Sequence, residues 1–384
     1  MSSRPAYSVP MTWLILAVSF CLFAILLHLA SIAIAIVRCR SPRRILPAMP
    51  GAPPVSIIRP VCGIDNFAEE TLRSAFRLDY PRYELILCLA RADDPAAPLL
   101  RRLIAEHPGV AARLLIGDER ISSNPKLNNI FKGWREAAHD WIVIADSNVL
   151  MPPDYLQRLL DAWRHDTGLV CSPPAGSHPD GFWAEIECAF LNGYQARWQY
   201  VSDQIGFGFA QGKTMLWRRT ELEAAGGIRM LATEAAEDAA ATKVVRASGL
   251  RVRLVDAPFP QPLGVRSSRE VWNRQIRWAR LRRASFVLYF VPELLAGGLF
   301  PLVAIICAAA LAGYPIPVAA AAFLTLWYGA ETALVRIAGW PISWRTPLVT
   351  MTRDLMLPFL WIAAWSGSEF VWRGNPMSAA ESAR

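Results

Sequence analysis

The residues Asp146-Ser147-Asn148 directly follow Trp141-Ile142-Val143-Ile144-Ala145, a continuously apolar run rich in β-branched side chains. Such a run fits a strand covered on both faces, as in a parallel α/β sheet. Ligands in those sheets bind at the carboxyl ends of the strands. A carboxylate and an amide two residues apart point to one side there, and offer the oxygen ligands that Mg²⁺ or Mn²⁺ takes. A divalent ion so placed can hold a pyrophosphate and stabilise it as a leaving group. Asp146 could equally start a turn and cap a helix beginning near Pro153.

The order of features on either side argues for the first reading. A strand fits Pro53–Pro60 and a helix fits Leu72–Phe76. A second strand, Tyr83–Leu89, is closed by Asp93-Asp94-Pro95. Further strands fit Val110–Ile116, Leu169–Pro173 and Val252–Val255, with Trp141–Ala145 between them, so strands and helices alternate from 55 to about 265. That alternation predicts βαβ units and a mostly parallel sheet. Leu78-Asp79-Tyr80-Pro81-Arg82-Tyr83-Glu84, Asn124-Pro125-Lys126-Leu127-Asn128-Asn129, Asp146-Ser147, Ala236-Glu237-Asp238 and the Arg-x-x-Arg-Trp box at Arg274–Trp278 follow in order. Together these motifs resemble the ceramide glucosyltransferase family, membrane-bound inverting glycosyltransferases with a GT-A fold that use nucleotide sugars. The likeness spans residues 53 to 283.

The resemblance assigns roles. Asp146, with Asn148 or a water, is the metal ligand, matching the family's second aspartate. Asp238 matches the third, the general base that takes the acceptor hydroxyl's proton as its oxygen attacks the anomeric carbon. Arg274, Arg277 and Trp278 match the terminal box, in which an arginine suits a diphosphate oxygen and tryptophan can flank sugar or lipid. Gln275 fills a variable position. Lys126 could reach the diphosphate or the uracil pocket. Where the family's first aspartate closes the second strand this chain has Arg91, leaving Asp93 or Asp94 to bond the uracil. Gly212-Lys213-Thr214 stands where the family has a Gly-Met-Ser-like segment. It is not a P-loop, which needs a glycine where Phe207 stands. Gln195, near Arg197-Trp198, replaces a histidine of eukaryotic members.

Composition places this site beside a membrane. Of 384 residues 53% are hydrophobic, and the mean hydropathy is positive, too apolar for an ordinary soluble protein of this size. Met11–Val37 is long enough to span a bilayer. Arg38, Arg40, Arg43 and Arg44 follow it and only Arg4 precedes it. The positive-inside rule then predicts an outside N-terminus and a cytoplasmic catalytic domain. A cleaved signal peptide would have a shorter apolar core and basic residues on the other side.

The expected organisation is an N-terminal anchor at 1–44, a Pro/Ala-rich linker at 45–54, and a GT-A domain at 55–266. A basic amphipathic helix at 267–285, carrying Trp272 and Trp278, would lie on the membrane surface with its arginines toward phosphates. Residues 286–384 form a C-terminal membrane region. Stretches 286–312 and 316–335 can span, while 354–372, with Pro358 and Glu369, reads as interfacial or re-entrant. Arg336, Arg345, Arg353 and Arg373 favour the cytoplasm, and an odd number of crossings follows.

The net charge of +8 fits attraction to anionic headgroups. No interleaving of aromatic and basic residues suggests nucleic-acid binding. Seven scattered cysteines lack Cys-x-x-Cys pairs, which argues against a zinc site or disulfide framework. A transporter would need several polar residues within spans; Glu331 and Glu369 alone qualify, and the α/β region would go unexplained. The reading is transfer of a hexose, glucose first, from a UDP-sugar to a membrane lipid at a bacterial inner membrane. Ceramide is the first acceptor, with diacylglycerol or a hopanoid polyol, and UDP-galactose or UDP-N-acetylglucosamine, as alternatives.

Overall fold

The computed structural model describes residues 8–40, 45–47, 51–372 and 375–379. Arg4, Arg43, Arg44 and Arg373, and residues 48–50 of the expected linker, lie outside the described residues. A long helix α1 (Ser8–Cys39) leads into β1 (Val55–Val61), α2 (Ala68–Ser74), β2 (Tyr83–Leu89), α3 (Ala97–Glu106), β3 (Ala111–Ile116), α4 (Pro125–Glu136) and β4 (Trp141–Ala145). Next come α5 (Tyr155–Asp161), β5 (Thr167–Cys171), β6 (Ala175–Asp180), α6 (Phe182–Cys188), a π-helical segment Ala189–Ala196 and α7 (Arg197–Gln204). β7 (Thr214–Arg218), α8 (Arg219–Ala224), α9 (Glu237–Ala247), β8 (Arg251–Leu254), β9 (Pro260–Val265) and α10 (Ser268–Ser285) complete the catalytic region.

The main sheet has the order β3-β2-β1-β4-β7-β5-β8. β1 to β4 are parallel, as their apolar sequences predict, and every β4 residue after Trp141 is buried. β7 runs antiparallel between β4 and β5, so the sheet is mixed at that point. A second, two-stranded parallel sheet pairs β6 with β9. Ile58, Ile86, Ile144 and Met215 pack on one face with Ile32 and Ala35 of α1. Val55, Leu85, Val143 and Leu216 pack on the other. The far half of α1 is thus core of the catalytic domain, and its exposed apolar residues are concentrated between Met11 and Leu27.

After α10 the chain forms α11 (Val287–Phe290), a 3₁₀ turn Val291–Leu295, α12 (Leu299–Ala312), α13 (Ile316–Ala338) and α14 (Thr346–Trp365). A hairpin of β10 (Glu369–Trp372) and β11 (Asn375–Ser378) follows. Met11–Cys39 and α13 are long and apolar enough to cross a membrane. Over the expected 286–312 span, Val287–Leu295 and α12 are together long and apolar enough to cross, with a 44° bend between them. This is a membrane protein. In the stretch 354–372, α14 continues past Pro358 to Trp365 and Glu369 begins a strand.

Several charged groups of the membrane region and its neighbours are paired inside the protein. Arg353 is almost fully buried, with Nη2 3.0 Å from Glu331 and 2.6 Å from Asp354. Arg197 binds the same Glu331 at 3.1 Å and His28 at 3.1 Å. A charge at this depth persists because it is paired. Arg38 likewise pairs with Asp203 at 2.8 Å and with Asp256.

α10 is capped by Ser267 and Glu270, which bond each other's backbone N–H groups reciprocally. Its aromatic residues pack against protein. Trp272 and Ile276 meet the cluster built from α6, the π-helical segment and α14, and Trp278 meets Cys188, Leu191 and Leu263. Arg282 pairs with Glu293 at 2.8 Å, and Arg280 and Arg283 donate to carbonyls of Glu369, Trp365 and Gly367. The helix is wedged into the structure because its apolar stripe finds these partners first.

Candidate active site

The Asp146 turn is held from beneath by a residue that the motifs do not single out. Arg59, in the middle of β1, is wholly buried. Its Nη2 donates to the carbonyls of Asp146, Ser147 and Val149 at 2.9, 3.0 and 2.9 Å, and Nη1 to that of Thr71 at 2.7 Å. Burial lowers its pKa to about 10, so it keeps its charge at neutral pH. Asp146 does not cap the helix after Pro153: α5 begins at Tyr155, with Asp154 preceding it.

Three loops converge above this turn. Lys126, in the first turn of α4, places Nζ 2.7 Å from Asp146 Oδ1, 2.7 Å from Glu237 Oε1 and 2.6 Å from the Gly212 carbonyl. Asn124 caps α4 by accepting from Lys126 N and Leu127 N, and its own amide donates to Glu237 Oε2 at 2.7 Å. Asp238, at the start of α9, accepts the N–H groups of Gly212 at 3.0 Å and Ala239 at 2.9 Å. Lys126, Asp146 and Asp238 are therefore brought together from positions that span 112 residues of sequence (238 − 126).

Electrostatics separates the two aspartates. Burial alone would raise the Asp146 carboxyl, but Lys126 and Lys213 together hold it well below the usual carboxylate range. Asp238 goes the other way: burial first, then the Glu237 carboxylate, push it up to about 6 against the pull of Lys126 and its two N–H donors. One carboxylate stays ionised while its neighbour can accept a proton near neutral pH.

Asp146 Oδ2 and Asn148 Oδ1 face one cation, the Lys213 ammonium, at 2.9 and 3.4 Å. That arrangement fits a divalent ion at the place the ammonium marks. Among the described residues no group of three or more His, Cys, Asp and Glu side chains could hold a metal, so such an ion would take further ligands from a diphosphate or water.

The remaining sequence candidates divide. Asp94 accepts from the Gly63 N–H at 3.1 Å and the Ala96 N–H at 2.8 Å, which ties the ends of β1 and β2 together. Asp93 is solvent-exposed and paired with Arg91 at 2.6 Å, outside this cluster. Arg274 is bound at 2.6 Å by the fully buried Glu187, which also lies 3.5 Å from Arg266. Arg277 lies with its guanidinium 6.0 Å from the centre of the Trp278 ring. Gln275, given little weight by its motif position, is buried and accepts from Gln195 at 3.3 Å.

Arg59, Glu187 and Lys213 escape a motif-based reading. A charged residue inside a largely apolar strand was the available signal for Arg59. Glu187 and Lys213 gain meaning only through contacts across 87 and 67 positions (274 − 187; 213 − 146).

The profile of Glycosyl transferase family 21 matches residues 12–384. The chain belongs to that family. This family 21 enzyme is a glycosyltransferase, and it is 27% identical over 371 residues to ceramide glucosyltransferase 1 of Caenorhabditis elegans, covering 94% of this chain and 79% of that one. It is 28% identical over 307 residues to a ceramide glucosyltransferase of Komagataella phaffii, covering 63% and 59% of the two chains. In fold it is similar to a mannosyltransferase from Pyrobaculum calidifontis solved with GDP-Man and Mn²⁺. That match has a TM-score of 0.51 and 22% identity, and covers 93% of this chain and 98% of that one. The likeness establishes the GT-A fold of the family 21 enzyme.

Proposed function

We propose that this enzyme transfers glucose from UDP-glucose to the hydroxyl of a membrane lipid, ceramide, with inversion at the anomeric carbon. The observation that carries the chemistry is the pairing of an ionised Asp146, bound by Lys126, with an Asp238 pushed up to about 6, bound by the Gly212 N–H, with Gly212 and Lys126 themselves hydrogen-bonded. The names of the family relatives support the lipid acceptor and the sugar.

In this reading Asp146 and Asn148 hold Mg²⁺ or Mn²⁺, which when bound would neutralise charge on the departing diphosphate. Lys126 keeps Asp146 and Glu237 in place. Asp94, at the far end of the strand edge, bonds the uracil. Arg274 and Arg277 contribute charge-assisted contacts to the diphosphate, and Trp278 fixes α10 beneath them. Asp238 takes the proton from the acceptor hydroxyl as its oxygen attacks on the face opposite the leaving group, which gives inversion. The acceptor would arrive from the membrane side, where Phe190, Tyr194, Gln275, Phe290, Leu357 and Trp361 line a narrow crevice beside α10. The catalytic domain would face the cytoplasm of a bacterial inner membrane, where UDP-sugars are made.

Membranes containing the enzyme, incubated with labelled UDP-glucose, UDP-galactose and UDP-N-acetylglucosamine and a panel of ceramide, diacylglycerol and hopanoid polyol, should yield glucosylceramide by mass spectrometry. Product on another lipid alone would overturn the acceptor assignment.

A further inference from the structure

The β4–β7 ladder ends with Ala145 opposite Thr214, and the Asp146 N–H continues it by donating to the Lys213 carbonyl at 3.0 Å. Strand pairing therefore fixes the Lys213 backbone beside Asp146 whatever ligand is present. Its side chain folds back onto the same residue, with Nζ 2.9 Å from Asp146 Oδ2 and 3.4 Å from Asn148 Oδ1. Those are the two oxygens assigned above to the metal.

A divalent ion of this size binds oxygen at about 2.0–2.2 Å. It cannot share Asp146 Oδ2 with an ammonium without bringing two cations into contact. Between them Lys126 and Lys213 already pair with the Asp146 and Glu237 side chains. Lys126 is held by two carboxylates and a carbonyl. Among the described residues the Lys213 ammonium meets Asp146 and Asn148, on a flexible four-carbon stem. It is the cation that can leave.

We propose that Lys213 is a tethered cation that occupies the metal seat in the donor-free enzyme. It moves onto the nucleotide diphosphate when metal and donor arrive together. The proposal rests on the metal reading of the site, and it makes metal affinity low until a diphosphate offers Lys213 another partner. Binding of the two would then be coupled, each strengthening the other by the same factor.

The test is Mn²⁺ binding to the full chain in nanodiscs, read from the paramagnetic resonance signal of free Mn²⁺, with and without UDP. Lys213→Met should bind Mn²⁺ without UDP about tenfold more tightly than wild type, a normal size for such a coupling. Lys213→Arg, which keeps the charge, should stay as weak as wild type. Should Lys213→Met not fold, Lys213→Gln serves in its place. The wild type also decides alone, since equal Mn²⁺ affinity with and without UDP would overturn the proposal. Lys213→Met binding no more tightly than wild type, while wild type binds Mn²⁺ with UDP, overturns it and leaves the metal reading standing. No Mn²⁺ binding by any variant in the presence of UDP would end both.

Discussion

The Gly212 backbone N–H donates to Asp238 Oδ2 at 3.0 Å, and the carbonyl of the same residue accepts from Lys126 Nζ at 2.6 Å. One residue of backbone thus touches both Asp238 and the lysine that pairs with Asp146. The approach is close enough to exclude a side chain. A Cβ at Gly212 would lie 2.8 Å from Glu237 Oε1 and 3.3 Å from both Asp238 Oδ2 and Lys126 Nζ. Gly212→Ala should therefore cost about 1–3 kcal/mol of overpacking and displace the carboxylates. We expect kcat to fall at least about tenfold, since 1.4 kcal/mol in a barrier is a factor of ten. Unfolding and turnover measured on one preparation would check this; unchanged kcat would mean the glycine is incidental.

The raised pKa of Asp238 predicts the acid limb of the pH profile. The general base must be ionised, so kcat should fall as pH drops through about 6. Glu237→Gln removes the like charge that adds to burial, and frees Lys126 to act on Asp238. Both changes favour the ionised form, so the limb should move to lower pH. Asp238→Asn should reduce kcat about 10²–10⁴-fold with little change in UDP-glucose binding. A limb that Glu237→Gln leaves in place would locate the base elsewhere.

The sequence was legible where local pattern and burial agree. β2 and β4 have the predicted bounds, because buried parallel strands read as unbroken apolar runs. β6 (Ala-Gly-Ser-His-Pro-Asp) and β9 (Pro-Gln-Pro-Leu-Gly-Val) carry no such signal, since glycine and proline are poor strand formers. β7 was hidden in a segment read only as a departure from the family pattern. Its antiparallel insertion beside β4 brings Lys213 to Asp146, a pairing that no local spacing encodes. On α10, a basic face suggested lipid phosphates, but Glu187 and Glu293 and three carbonyls take Arg274, Arg280, Arg282 and Arg283 instead.

Arg59→Met should loosen the turn that presents Asp146. Four carbonyls would lose a donor; Thr71 keeps the Ser74 hydroxyl and Asp146 the Val149 N–H, which leaves Ser147 and Val149 unsatisfied at about 1–3 kcal/mol each. Stability should drop by at least about 2 kcal/mol and UDP-glucose binding should weaken as the turn loses its shape. Chemical unfolding in detergent would measure the first, and an unchanged midpoint would contradict the account.

A cytoplasmic catalytic domain predicts shielding from the outside. A cysteine introduced between positions 90 and 96, beside exposed Arg91 and Asp93, should resist an impermeant thiol reagent in sealed cells and react after lysis. Labelling in intact cells would reverse the orientation.

Arg274 poses a problem of interpretation that Glu187 resolves. Glu187 is completely buried, and Arg274 at 2.6 Å and Arg266 at 3.5 Å are the cations beside it. Removing Arg274 alone strands much of that carboxylate's charge, and breaking a buried pair typically costs about 3–5 kcal/mol. Lost activity in Arg274→Ala could then reflect instability alone. Glu187→Gln combined with Arg274→Ala removes the stranded charge. The double variant should recover most of the stability lost in Arg274→Ala. If Arg274 also contacts the diphosphate, the recovery should stop there, with UDP-glucose binding still weak because the charge-assisted contact is gone. Thermal unfolding and nucleotide-sugar binding on the wild type and both variants separate the two roles. Recovery of binding along with stability would make Arg274 a structural partner of Glu187 and leave the diphosphate to Arg277.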